Sequence, residues 1–181
     1  NGNEIFVSYD ENDKIIIIED CGRGIPINKV KDIFTVLHSS GKYNKGDNEA
    51  YKYSAGLNGV GTTCINALSK YLKVTVCRNG VKYIANFKEG VFESEQHLTS
   101  NKTGTRIEFK PNEDILGDID VLAEDIMELC DTLTYLSGVS IKFHANKIGK
   151  YGDINKIFYH PKGIIDLVSL KAGKNPLIEP I

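Results

Sequence analysis

Two β-branched-rich runs, Glu4–Tyr9 and Lys14–Glu19, flank the polar turn Asp10-Glu11-Asn12-Asp13, a pattern that predicts an antiparallel hairpin. Its second strand delivers Asp20 to its end. Pro26 then breaks the backbone, and Asn28 is placed to cap a short helix with Val30, Ile33, Phe34 and Leu37 on one face. From Ser39 to Ala55 the chain turns polar and glycine-containing, which predicts a long loop of the kind that forms lids and binding elements. Over Val60–Lys70, Cys64, Ile65, Leu68 and Tyr71 recur at helical spacing. Leu72–Arg78 and Val81–Lys88 enclose Asn79-Gly80, a strong type I′ hairpin signal, and Gly104–Phe109 reads as a further strand.

Downstream, Ile119, Leu122, Ile126, Leu129, Leu133 and Leu136 form one stripe of a helix over Asp118–Leu136, expected to face the core and to stop at Gly138 as C′ residue. Val139–His144 returns as a strand, and Gly163–Leu170 predicts a last helix. Hairpins interspersed with helices, without a βαβ repeat, give an α+β class: helices on one face of a mixed, mostly antiparallel sheet. A Rossmann arrangement fits poorly, because Pro26 and a polar insertion separate the strand-end aspartate from the later glycine loop.

Composition narrows the function classes. The 181 residues suit one domain with one core. A net charge of −2 supplies no global field for nucleic acid, so any DNA contact must come from a local patch or another domain. Cys21, Cys64, Cys77 and Cys130, with His38, His97, His144 and His160 scattered among them, lack zinc-site spacing and read as reduced thiols of a cytoplasmic protein. The longest apolar run, Ile15–Ile18, is far too short to cross a bilayer, so no membrane partner is expected. The opening at Asn1 and the extended residues from Lys174 to Ile181 suggest a fragment: a domain over 1–173, then the start of a linker over 174–181.

Chemistry concentrates in three glycine stations: Asp20-Cys21-Gly22-Arg23-Gly24, Gly56-Leu57-Asn58-Gly59-Val60-Gly61 and Thr103-Gly104-Thr105. A fixed carboxylate such as Asp20 can accept from the exocyclic amine of adenine, although aspartate before glycine is more commonly a turn residue accepting backbone N–H bonds. Gly22 and Gly24 would let a ring lie against the backbone. Ile18, Ile25, Ile33 and Ile107 would wall a base pocket, or simply pack a core. Gly59, Val60 and Gly61, opening a helix, would offer N–H donors to phosphates. Lys42 and Lys52 could close over that charge or stay solvated. Thr105 could bond Asp20 or the base through water, or be an ordinary strand threonine. Arg78 could flank the pocket mouth or be an exposed strand-end arginine.

Together these stations resemble the ATPase domain of type IIA DNA topoisomerase B subunits, those of DNA gyrase and topoisomerase IV, within the Bergerat-fold (GHKL) ATPases. The resemblance runs through Asp20 to Pro26, Thr35 to Tyr43, Tyr51 to Gly61, Asn66 to Ser69, Thr103 to Thr105 and Leu136 to Ile141. Hsp90, MutL and histidine kinases share the glycine stations but not the Thr-Val-Leu-His and Asn-Ala-Leu-Ser contexts. The resemblance implies a two-layer Bergerat fold and an ATP site. In that site Asp20 meets the adenine amine, partly through water shared with Thr105, and Lys42 and Tyr51 lie near the triphosphate. Residues Asn58 to Gly61, preceded by Leu57, line the phosphates, and Pro26 and Arg78 line the mouth where aminocoumarin inhibitors sit.

Asn58 stands where the family commonly has histidine. The family's general-base glutamate and its Mg2+-binding asparagine lie on a helix ahead of the first strand, and its γ-phosphate-sensing lysine in a following domain. These 181 residues are therefore expected to bind ATP but hydrolyse it poorly alone. The whole protein is expected to dimerise on ATP, to pair with an A subunit and to act on DNA through the holoenzyme. Alternatives in other classes are a non-hydrolysing, ATP-controlled interaction module and another GHKL ATPase.

Overall fold

The computed structural model describes residues 3–37, 59–118, 120–146 and 152–172. Its strands are β1 (Glu4–Asp10), β2 (Ile15–Asp20), β3 (Ser69–Arg78), β4 (Val81–Lys88), β5 (Val91–Thr99), β6 (Gly104–Pro111), β7 (Ser140–Asn146) and β8 (Ile154–Phe158). Its helices are α1 (Val30–Thr35), α2 (Gly61–Ala67), α3 (Glu113–Leu116), α4 (Ala123–Ser137) and α5 (Ile164–Ala172), with a 3-10 turn at Ile27–Lys29. The strands form one sheet in the order β5-β4-β3-β6-β2-β1-β7-β8. Among the described residues only the β1–β7 pair is parallel, so the expected mixed, mostly antiparallel α+β architecture is observed.

Local chemistry fixes the hairpins. Asp10 Oδ1 accepts from the backbone N–H of Asn12 and Asp13, closing the β1–β2 turn. Asn79 and Gly80 both have positive φ, as do Glu89 and Gly90 in the β4–β5 connection, the requirement of a two-residue type I′ turn. Strands β5 and β8 escaped the sequence reading because each is a sheet edge: Val91 to Thr99 is largely exposed and carries no apolar alternation.

Apolar burial splits into two clusters. Val30 and Phe34 of α1 pack on Leu72, Val74, Val76, Tyr83, Ala85 and Phe87. Ala123 and Cys130 of α4 pack on Val7, Tyr9, Ile141, Phe143 and Ala145. Both lie on one face, because the pairing register runs from Phe143 to Val7, Ile18, Ile107, Val74 and Ala85 in a single row. The expected single core is thus two clusters over one sheet. Helices centred over β3–β4 and over β1–β7 stand roughly 19 Å apart at about 4.8 Å per strand, twice the 8–10 Å of packed helices. Strands β2 and β6 lie under the gap.

Three helical expectations need correction. Asn28 caps nothing: it lies inside the 3-10 turn, Lys29 precedes α1 without a side-chain cap, and Leu37 lies beyond the helix with 58% exposure. Helix α2 ends at Ala67, because Ser69 already pairs with Pro111 and Tyr71 with Lys110 in β3–β6; Cys64, Ile65 and Leu68 are exposed, and Asn66 is the buried residue. Helix α4 begins at Ala123, its Leu122 N–H bonding Asp125 Oδ2, and ends on Gly138 in the left-handed conformation as expected. Its leucine stripe, however, points away from the sheet: Leu122, Leu129, Leu133 and Leu136 are exposed, while Ala123, Cys130 and Thr134 are buried. Ile126, from the same stripe, and Met127 pack with Ala123 and Cys130 against the second cluster, so the contacting face is rotated away from the leucines.

The thiols are free and unlike one another. Cys21 and Cys64 are exposed, and burial pushes the Cys130 thiol up to about 11. Iodoacetamide at pH 8 is expected to alkylate Cys21 and Cys64 rapidly and to spare Cys130 until the fold opens, as read by peptide mass spectrometry. Phe143→Ala should lower unfolding free energy by about 3–5 kcal/mol, whereas Leu129→Ala should change it by only about 0.5 kcal/mol or less. Denaturant titration giving the reverse order would place the wrong face of α4 on the sheet.

Candidate functional site

The gap between the two clusters brings together four of the described residues nominated from sequence, Ile18, Asp20, Thr105 and Ile107. One row of the sheet carries Ile5, Asp20, Thr105, Val76 and Tyr83, and the next carries Val7, Ile18, Ile107, Val74 and Ala85. Asp20 and Thr105 are direct cross-strand partners, as are Ile18 and Ile107. In the middle of an eight-stranded sheet, Ile18 is nevertheless 37% exposed, on the face its neighbours bury. A central strand with an uncovered apolar side chain beside a carboxylate is a binding surface rather than a finished core.

Backbone contacts hold Asp20 in place. Gly22 N donates to its Oδ1 at 2.7 Å, so the turn role weighed above is real for one oxygen. Its Oδ2 has no hydrogen-bond partner among the described residues and is available to a ligand donor. Gly104, at φ 132°, lies so close to the Asp20 carbonyl that any Cβ would collide with it. Thr105, next in β6, is 8% exposed.

The turn after Asp20 is held from the other side. Gly24 has φ 73°, and a Cβ there would stand 2.7 Å from the Cys77 carbonyl oxygen and 3.2 Å from that of Gly104. Arg78 Nη1 donates to the Gly24 carbonyl at 2.7 Å. Arg78 is therefore no free strand-end arginine; it ties the end of β3 to the glycine turn. Beyond this tie, Ile25 and Ile33, like Ile107, are partly buried against the first cluster. Pro26 and Arg78 also line a cleft of about 730 Å³, together with Lys31, Tyr83, Glu95 and His97. Tyr83 Oη donates to Glu95 Oε2 at 2.7 Å; burial first, then this bond, raises the phenol well above its ordinary range. Asp20 is not among the residues that line this cleft. Its Glu95 and His97 were missed from sequence because they sit on the unrecognised strand β5.

The second glycine station leads into α2, which lies against α1. Gly59 has φ 65°, Val60 precedes α2, and Gly61 opens it with empty space where a Cβ would project. Thr62 Oγ1 donates to the Ile33 carbonyl at 2.8 Å, so α2 starts against the helix that bears Ile33. Lys42, Tyr51, Lys52, Leu57 and Asn58 fall outside the described residues. Among the described residues, no group of three or more His, Cys, Asp or Glu is placed to hold a metal ion.

The family model described as histidine kinase-, DNA gyrase B- and HSP90-like ATPase matches residues 1–115, well over half the chain. The chain belongs to this family. That match takes in every described residue of the candidate site, from Ile18 to Ile107. Nearly the whole chain also matches a narrower group. The B subunit of DNA topoisomerase 4 from Staphylococcus aureus strain Mu50 is 36% identical over 192 residues, covering 97% of this chain, and that of strain MW2 gives the same figures. This chain spans 28% of the length of those relatives. Among solved structures, the 43K ATPase domain of Thermus thermophilus gyrase B, in complex with an aminocoumarin, superposes with a TM-score of 0.76 at 27% identity. That match covers 99% of this chain and 46% of the gyrase chain, and the fold is that of the gyrase B ATPase domain.

Gly104 and Gly61 should behave oppositely when substituted. Gly104→Ala, strained at positive φ and colliding with the Asp20 carbonyl, is expected to cost on the order of 3 kcal/mol. Gly61→Ala, in open space at a helix start, should be neutral or stabilising by up to about 1 kcal/mol. Thermal unfolding of the two variants checks this pair; equal losses would mean the backbone at Gly104 has room for a side chain.

Proposed function

We propose that this chain is the ATP-binding domain of the B subunit of a type II DNA topoisomerase, an ATP-hydrolysing enzyme as the whole protein. The single observation that carries the reading is the Asp20 carboxylate. It projects in an uncovered gap of the sheet, fixed through one oxygen and open through the other, beside Thr105 and above an exposed Ile18. These residues fit adenine: Oδ2 accepts from the exocyclic amine, and Ile18, Ile25, Ile33 and Ile107 take the ring faces. Gly22 and Gly24 leave the approach clear, and Gly59, Val60 and Gly61, with Leu57 and Asn58, serve the phosphates together with Lys42, Tyr51 and Lys52.

When bound, ATP supplies the γ-phosphoryl group whose transfer to water drives the enzyme's cycle, and Mg2+ neutralises its charge. We assign the general base and the Mg2+ ligand to residues outside these 181, as the family resemblance implies. Partnership with an A subunit, dimerisation on ATP and action on DNA through the holoenzyme belong to the same proposal. So does aminocoumarin binding against Pro26 and Arg78, which is supported by the aminocoumarin held by the gyrase B relative. No helix among the described residues is long and apolar enough to cross a membrane, and we propose a cytoplasmic location.

Calorimetry tests the assignment. Asp20→Asn turns the acceptor into an amide that presents a donor, and is expected to weaken an ATP analogue about tenfold or more, roughly 1.5–3 kcal/mol for a hydrogen bond to a charged group. Unchanged affinity would remove Asp20 from the base. Gly61→Ala should weaken the ATP analogue more than adenosine; equal effects would take the second glycine station off the phosphates. A full-length protein that binds ATP without hydrolysing it would instead be an ATP-controlled interaction module.

A further inference from the structure

Helix α2 is seven residues long, has no side-chain cap at its N-terminus, is closed at the other end by Ser69 Oγ donating to the Ile65 carbonyl at 2.6 Å, and buries one side chain, that of Asn66, which is polar. Apolar burial is non-directional and here is nearly absent, so hydrogen bonds must set where this helix lies. Asn66 is 1% exposed. Its Nδ2 donates to the Phe34 carbonyl at 2.9 Å and to the Gly90 carbonyl at 3.0 Å, joining α2 to the end of α1 and to the β4–β5 turn. Its Oδ1 is buried with no partner among the described residues.

The two acceptors explain the donor. A helix leaves its last carbonyls without intrahelical partners. In α1, Val36 N takes the Asp32 carbonyl, Thr62 and Thr63 take that of Ile33, and Asn66 takes that of Phe34. The α2 side chains thus cap α1. On the other side Gly90, at φ 83°, presses against α2 so closely that a Cβ would stand 3.3 Å from Ala67 Cα.

We infer that Asn66 is a positioning residue of the nucleotide site: it touches no ligand, but fixes α2, and with it Gly59, Val60 and Gly61, relative to Asp20. Asp20 is held independently, by Gly22 and by the β2–β6 pairing. Loss of the latch therefore splits the site, leaving the base contact intact while the glycines of the second station lose register. The inference rests on the nucleotide reading above.

The test is calorimetry on the full-length protein with adenosine and with the non-hydrolysable β,γ-imido analogue of ATP. Asn66→Ala removes the latch, and Gly90→Ala pushes on it from the far side. Both are expected to cut the preference for the ATP analogue over adenosine about tenfold while adenosine affinity moves less than about twofold. Asp20→Asn, as comparator, should weaken both ligands. Parallel loss of both ligands in the latch variants, or no change in either, overturns the inference. If Asn66→Ala does not fold, the result with Gly90→Ala decides alone. A wild-type protein that binds neither ligand, or shows no preference between them, overturns the nucleotide reading, and the inference with it.

Discussion

Strand β6 comes into register with β2 through a contact that has no room for a side chain: Gly104 against the carbonyl of Asp20. This one approach fixes two things together. It sets the row that brings Thr105 beside Asp20 and Ile107 beside Ile18, and it pins the backbone from which the carboxylate projects. Gly24 makes a second side-chain-free contact a few residues on, against Cys77 and Gly104, and Arg78 closes it with a bond to the Gly24 carbonyl. Glycines are ordinarily credited with flexibility. Here they serve as spacers of zero width, and the carboxylate is rigid because its neighbours lack Cβ atoms.

The gap over β2 and β6 has an energetic consequence. A central strand in a mixed sheet normally buries its apolar face, and each fully buried isoleucine contributes about 1.5–3 kcal/mol of transfer free energy. Ile18 forgoes part of that by staying 37% exposed. The two clusters on either side supply the stability, and the uncovered strip between them is the surface we propose for binding. On the proposed reading the division is partial: Asp20, Thr105 and Ile18 face the strip, while Ile25, Ile33 and Ile107 also pack against the first cluster.

Much of this was legible in the sequence, and the exceptions share a cause. Hairpins were readable from local turn chemistry: Asn79-Gly80 requires positive φ at both positions and has it. The acid at the end of β2 and the glycines were readable because their constraints are steric and local. Strand β5 was not, since an edge strand needs no apolar face and Val91 to Thr99 shows none. The leucine stripe of α4 misled because periodicity reveals that a helix has an apolar face without revealing which face the sheet takes. Ala123, Cys130, Met127 and, from the stripe, Ile126 took that contact, and Leu129 and Leu136 remain outside. The site was legible as a set of residue types; the Arg78 to Gly24 bond was not, because nothing in the spacing of an arginine names a backbone carbonyl 54 residues away.

Asn66 shows the same limit from the opposite direction. By helical periodicity Cys64, Ile65 and Leu68 should have faced inward, yet a buried amide took the interior and those three stayed exposed. An apolar residue there would avoid the cost of an unsatisfied Oδ1, about 1–3 kcal/mol for a buried acceptor without a donor. It would also leave the carbonyls of Phe34 and Gly90 without the donor they now share, moving the cost to two backbone groups instead of removing it. The amide is thus the less costly solution once α1 ends beside α2 and the β4–β5 turn is pressed onto both. In this reading the buried amide follows from topology: a short helix wedged between a helix end and a tight turn meets backbone acceptors on both sides, and only a forked donor satisfies them together.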